Sequence, residues 1–438
     1  MSDPRSRRAL LAALGTVTLG GCTAEDRFGT ATQSPTGTAS ATDTATATDS
    51  PSPTDATESE TATDSPTPTA EPPTELRSAW SMPAADSGLS NAQPAASGPT
   101  TAVRPLWRVT AQAELSTPVV AGSRLFVGGD DGVVRVFDAR TGKRKWSKSV
   151  GTRTGAPWVE SGRCVVPTET GIVALAVADG RELWRVETPS RGGRLGDVES
   201  GVLVASHGVY WTQRGGEGSD GAPPRLVALD ASDGTERWRV DLGDAWEPRP
   251  FASDEFVFVP SGTRDFRFWQ FEASSGDQIG DDPRYGADFP GERCYAGGRV
   301  YAVDGFFGGV KATAVTDEGT GWQVDVPPGG GVSSLAVGSE LVFYTSNAEK
   351  GGVIALSRSD GSRAWRKKPE SEITGRPVVA DEALLVPTKA GHVCLDPTDG
   401  TELWTADLGP RRDGVIVVDD VVYAVEGSEL RAFRPPSE

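Results

Sequence analysis

A chain of 438 residues is long enough for two or three average domains or for one large repeat architecture. Its 53 Gly, 32 Pro and 12 Trp, against 2 Met and 2 His, suit many short strands joined by tight turns and speak against an all-α protein. The 61 acidic residues outweigh the 43 basic ones to give a net charge of −18, which repels nucleic-acid phosphates and argues against a DNA- or RNA-binding role.

The chain opens with Ser6-Arg7-Arg8-Ala9-Leu10-Leu11, and its apolar run from Ala9 to Gly21 is too short to span a bilayer core of about 30 Å as a helix. Residues 1–21 therefore read as an export signal. The pair Arg7-Arg8 resembles the twin-arginine type, in which a receptor reads the arginines and an already folded protein is exported. Leu19-Gly20-Gly21-Cys22 resembles a lipobox, which predicts that Cys22 carries a diacylglycerol chain as the first residue of the exported protein. A cleaved signal with an incidental Cys is the plain alternative. Residues 22–76 are almost wholly Thr, Ser, Ala, Pro, Asp and Glu, too poor in apolar side chains to bury a core. They read as a disordered stalk that extends about 50 to 100 Å. The expected location is the outer face of the cytoplasmic membrane, with the membrane contacted through lipid on Cys22.

From residue 77 to 436 a unit recurs. It reads Asp138-Ala139-Arg140-Thr141-Gly142-Lys143-Arg144-Lys145-Trp146, then Asp179-Gly180-Arg181-Glu182-Leu183-Trp184, then Asp230-Ala231-Ser232-Asp233-Gly234-Thr235-Glu236-Arg237-Trp238. Later copies are Asp360-Gly361-Ser362-Arg363-Ala364-Trp365 and Asp396-Pro397-Thr398-Asp399-Gly400-Thr401-Glu402-Leu403-Trp404, with degenerate ones at Ser275-Gly276 and Gly321-Trp322. In the fourth copy Ile279 stands where Trp is expected. The phased tryptophans are spaced by 39, 38, 54, 84, 43 and 39 residues, the 84 being two repeats, and a period near 40 is one four-stranded propeller blade.

Seven complete units follow Trp107, and the chain ends with three further strands at 414–418, 421–425 and 430–433 but no Trp strand. Arg104-Pro105-Leu106-Trp107-Arg108-Val109 has the Trp-strand pattern with no strands before it. It is expected to pair with the last three strands, making an all-β, eight-bladed propeller closed without an open sheet edge.

The Asp, Thr-Gly or Asp-Gly, and Trp positions resemble the pyrroloquinoline-quinone-type repeat propellers over residues 77–436. The lead-in Trp80-Ser81-Met82-Pro83-Ala84-Ala85-Asp86-Ser87-Gly88, with Ser97-Gly98-Pro99, looks like the segment before the first blade in that family. The resemblance implies a fold more than an activity, because the same unit builds quinone-dependent dehydrogenases and non-catalytic lipoprotein scaffolds, among them the propeller subunit of the bacterial outer-membrane assembly machine. About eight of the 43 basic residues are lysine and the rest arginine; with the acidic excess this resembles proteins of salt-loving archaea, where salt screens self-repulsion.

A quinoprotein enzyme of that family implies a vicinal cysteine pair, Ca²⁺ ligands and a catalytic Asp, but Cys22, Cys164, Cys294 and Cys394 are not adjacent to one another. The latter three fall in strands and read as core thiols, with one disulfide as the alternative. His207 reads as a surface turn residue and His392 as a strand histidine; two histidines on separate blades offer little for a triad or a metal site. No catalytic residue and no metal ligand is assigned. Gly129-Asp130-Asp131-Gly132 and Gly280-Asp281-Asp282 lack the alternating carboxylate spacing of a calcium loop. The loops leading into each innermost strand carry Arg153, Arg249, Arg376, Arg411 and Arg412, and two insertions, 188–201 and 213–224, fall on the same face. These arginines form either a local anion or partner site or ordinary ion pairs between blades. Trp158 and Trp246 read as core. The function read from these features is a lipid-anchored surface scaffold that binds an exported or surface protein and needs no cofactor. A quinone-dependent alcohol or sugar dehydrogenase, using pyrroloquinoline quinone and calcium, and a small-ligand or carbohydrate sensor are the other readings.

Overall fold

The computed structural model of the chain describes residues 76, 78–151, 153–187, 202–213, 224–242, 250–260, 267–279, 284–285, 292–304, 309–315, 321–325, 333–409 and 414–436. Secondary structure among them is strand and turn, without a helix. Short runs rich in Val, Leu and Phe, punctuated by Gly and Asp, fold back on themselves as antiparallel ladders. Blade 1 is Val119–Ala121, Arg124–Val127, Val133–Asp138 and Arg144–Ser149, in that spatial order. Blades 2 to 7 repeat the meander, beginning with Trp158–Glu160, Val202–Ala205, Phe251–Ala252, Arg293–Ala296, Ser333–Val337 and Val378–Ala380. Their first strands lie against one another in succession and so form the inner ring.

Blade 8 is composite. Val415–Val418, Val421–Glu426 and Glu429–Arg434 are joined by Arg104–Thr110, whose Trp107 pairs with Ala432 in an antiparallel ladder. The two ends of the ring are thus sewn together by main-chain hydrogen bonds, and no blade at the ends keeps an unpaired edge for another chain to join.

Each blade is locked to the next by its tryptophan. The Trp146 indole donates to Val177 O at 3.1 Å, Trp184 to Ala231 O at 2.9 Å, Trp238 to Ala273 O at 3.1 Å, Trp322 to Arg358 O at 2.9 Å and Trp365 to Pro397 O at 2.9 Å. The ring also lies flat on the turn glycine of that neighbour. Gly400 has φ +77°, and a Cβ there would stand 2.6 Å from the Trp365 ring. The glycine is thus required twice, for its backbone conformation and for the space the indole takes. In blade 4 Ile279 takes the Trp position, its N–H bonded to Gln270 O, and the seam with blade 5 is filled instead by Phe258 stacked on Tyr295 with ring centroids 5.7 Å apart.

One feature has no counterpart in the repeat. Residues 78–98 form a strap along the channel-side edges of the inner strands. Trp80 exchanges two hydrogen bonds of 2.8 Å with Val120 of blade 1; Ser81 O accepts from Val159 of blade 2, Ser87 O from Ala252 of blade 4, Gly88 O from Tyr295 of blade 5 and Ser90 O from Val337 of blade 6. Ala92–Gln93 then adds to blade 7 as a fifth, parallel strand, and Ser97 O accepts from Asp420 of blade 8. Beside blade 3 the strap turns instead, with Ala85, Leu89 and Asn91 at positive φ and Asp86 taking the N–H and hydroxyl of Ser90. Burial pushes the Asp86 carboxyl above its ordinary range despite those bonds. All these contacts fall near the ends of the inner strands, beside the turns to the second strands, so the strap lies at that end of the channel.

Candidate partner-binding face

The opposite end of the ring carries the loops that lead into each inner strand and the turns between second and third strands. Where described, it is stitched tightly. Ser116 exchanges bonds with Gly128, its N–H to Gly128 O and its Oγ from Gly128 N, each at 2.9 Å. Thr154 Oγ1, leading into blade 2, accepts from Gly129 N at 2.8 Å and donates to Gly129 O at 3.2 Å, so it ties blade 2 to blade 1. Asn347 does the same between blades 6 and 7, its side-chain amide donating to Ile373 O at 2.7 Å and accepting from Ile373 N at 2.9 Å. Polar side chains that satisfy neighbouring backbone groups hold such loops in one conformation.

Acidic groups line part of this face. Asp130 Oδ1 accepts from the Glu114 N–H at 3.1 Å, and Asp131 makes a two-pronged bond to Arg135, whose guanidinium is 1% exposed. Partial burial of Asp131 by itself raises its pKa, but the Arg135 bonds and charge dominate and hold it below the usual carboxylate value. Asp131 is therefore a structural counter-ion and leaves Asp130 and Glu114 as the outward charges.

Of the arginines expected here, Arg153 and Arg376 are described, while Arg249, Arg411 and Arg412 lie outside the described residues, as do insertion 188–201, the middle of insertion 213–224 and Trp246. Arg153 is half-buried, and its backbone carbonyl accepts from Glu169 N within blade 2. Arg376 forms an ion pair with Glu292, which comes from blade 5, and the other Glu292 oxygen accepts from Leu335 N of blade 6 at 2.8 Å. One carboxylate thus ties blades 5, 6 and 7. The sequence reading missed Glu292 and its neighbour Arg293, whose guanidinium burial pulls below its ordinary pKa. Their only signal was a charged pair leading into a strand.

Trp158 is 3% exposed and packs in the core with Val202 and Val204. Cys164, Cys294 and Cys394 are buried free thiols in blades 2, 5 and 7, which removes the disulfide alternative for these three. His392 is buried in its strand, whereas His207 does more than occupy a turn: Nε2 meets Ser253 O of blade 4 at 2.8 Å and Nδ1 meets the Tyr210 hydroxyl. The positions Arg7, Arg8 and Cys22 lie outside the described residues.

Residues 99–219, 218–304 and 307–437 match the family model described as outer membrane protein assembly factor BamB. The chain belongs to the BamB family. BamB of Salmonella typhimurium is 30% identical over 156 residues, 32% of this chain and 38% of that protein. Serine/threonine-protein kinase AfsK of Streptomyces griseus is 29% identical over 147 residues, 31% of this chain and 17% of the kinase. The aligned part is thus well under half the length of either curated relative. Among solved structures, BamB of Moraxella catarrhalis superposes with a TM-score of 0.56 at 16% identity, covering 77% of this chain and 99% of that one. Quinohemoprotein alcohol dehydrogenase of Comamonas testosteroni gives 0.55 at 14% identity, covering 82% of each. At such identities the likeness concerns the fold alone.

Because BamB-type repeats also match a quinohemoprotein, the donor set decides whether a quinone and its calcium fit this ring. The three described thiols sit in three blades, and no three His, Cys, Asp or Glu among the described residues are grouped to hold a metal. The described residues therefore do not fit the vicinal-thiol and calcium arrangement of that chemistry.

Proposed function

We propose that this BamB-family propeller is a non-catalytic binding scaffold, anchored by lipid on Cys22 to the outer face of the cytoplasmic membrane, whose partner is another exported or surface protein. The observation that carries this reading is the asymmetry of the ring. One end is occupied by the strap, and the chain reaches the propeller there, at Leu76 and Ser78, where Ser78 is held by Asp419. The other end presents loops held rigid by Ser116, Thr154 and Asn347, and a preorganised loop face loses little freedom on binding. Membership in a family described as an assembly factor supports a protein partner.

The test places photo-crosslinking side chains at Asp130 and Glu349 on the loop face and at Asp254 and Glu382 on the strap face of the membrane-borne protein. The scaffold reading expects adducts with one exported protein from the loop face and none from the strap face. A parallel titration with pyrroloquinoline quinone and Ca²⁺ in high salt, with a panel of alcohols and sugars, expects neither binding nor dye reduction. Saturable binding with turnover makes the protein a dehydrogenase and overturns the scaffold reading.

A further inference from the structure

Two side chains inside the ring are buried with their polar atoms unmatched. Trp80 of the strap is 1% exposed and its indole Nε1 has no hydrogen-bond partner; His392 of blade 7 is 2% exposed and neither ring nitrogen has one. Each unmade bond of this kind costs about 1–3 kcal/mol unless something completes it. Both residues line the same cavity, of about 30 Å³, bounded also by Thr117, Arg376, Leu385 and Val415.

The chemistry of these groups selects the occupant. An indole N–H only donates, so the occupant must accept, which a metal cation cannot do. Burial drives the His392 pKa down to about 4, against an opposing pull from Asp407, so near neutral pH the imidazole carries one N–H and one bare nitrogen. The occupant must therefore also donate, which a halide cannot do. Arg376 brings positive charge to the wall, but Glu292 already balances it. A neutral molecule that both donates and accepts remains. At 10–15 Å³ for each water, the volume holds about two.

We propose that this cavity is a permanent hydration site whose water molecules join Trp80 of the strap to His392 of blade 7. The water fastens the strap to a blade at the opposite end of the strap's path from the Ala92–Gln93 strand pairing, and the strap is closed on the ring by solvent as well as by backbone.

The test uses the full chain with Cys22→Ala, crystallised, solved at high resolution and soaked in bromide. Two density peaks refining as water, within hydrogen-bond distance of Trp80 Nε1 and of the His392 ring and without anomalous signal, are expected. An empty cavity, or a bromide peak between the two rings, overturns the proposal. In solution, magnetisation transfer from bound water to the Trp80 indole proton is expected in the parent and in His392→Gln, which keeps a donor and an acceptor, and is expected to vanish in His392→Leu. Absence of transfer in the parent itself also overturns it, so the result does not depend on whether His392→Leu folds.

Discussion

The indole of Trp404 donates to the carbonyl of Pro99 at 2.7 Å, although the two lie 305 positions apart in the chain. In the other described locks the acceptor belongs to the next blade's own turn. Blade 8 has no such turn, because its third strand ends the chain and its fourth strand begins the ring. Ser97-Gly98-Pro99 supplies the missing surface. Trp404→Ala is expected to cost roughly 3–5 kcal/mol, the range for losing a packed tryptophan. Trp404→Phe keeps most of the packing and is expected to lose about 1 kcal/mol for the hydrogen bond. Urea unfolding of both variants measures the difference, and equal losses would remove the hydrogen bond from the account.

The turn glycines separate backbone strain from crowding. Gly162 has φ +78° with nothing within 4 Å of where a methyl would stand, whereas Gly400 has φ +77° with the Trp365 ring at 2.6 Å. Gly162→Ala should therefore cost about 1–2 kcal/mol for left-handed backbone alone. Gly400→Ala should cost about 1–3 kcal/mol more through overpacking. Thermal melts of the two variants side by side check the ordering, and equal losses would mean the indole yields without cost.

His392 gives the fold an acid sensitivity of its own. Its pKa lies at about 4 in the folded chain against an ordinary value of 6.5, so above about pH 6.5 both states are neutral and the group has no effect. As pH falls below that, the unfolded chain takes a proton that the folded chain refuses, and stability drops until about pH 4. The full loss is on the order of 3 kcal/mol. His392→Gln is expected to flatten this part of the stability profile between pH 6.5 and 4, and parallel profiles for parent and variant would contradict the assignment.

The three ring cysteines are expected to resist modification. Cys164, Cys294 and Cys394 are at most 2% exposed, and burial pushes each thiol up, that of Cys394 to about 12. A thiolate is the reactive form, so in the Cys22→Ala protein a thiol reagent should find almost nothing before denaturant and three groups after it. Rapid labelling of one cysteine in the native protein would locate an opening in the blade that holds it.

The residues that spoke in the sequence were those whose roles recur. Tryptophan and turn glycine repeat with the blade because each blade must cover the next, and Arg104–Thr110 declared itself as a fourth strand because it carried the Trp without the rest of the unit. The strap was opaque for the opposite reason. Ser81, Ser87, Gly88, Ser90 and Ser97 act through backbone carbonyls, which every residue possesses, so no side-chain pattern marks them. At the loop face Arg376 was visible as a cation, but Glu292 becomes its counter-ion only when the ring brings blades 5 and 7 to the same wall. The inter-blade bond of His207 to Ser253 O was hidden in the same way, since it spans 46 positions and follows no period.

The composite eighth blade also sets a timetable for biosynthesis. Arg104–Thr110 leaves the ribosome roughly 300 residues before its partner Glu429–Arg434, a wait of about 15 to 60 s at ordinary synthesis rates. Throughout that time it is a strand without a sheet. Arg104, Pro105 and Arg108 lie along it, the kinds of side chain that discourage a strand from joining the wrong neighbour. The ring is finished only after the last residues are made, so the earliest moment at which this protein can act is after its release from the ribosome.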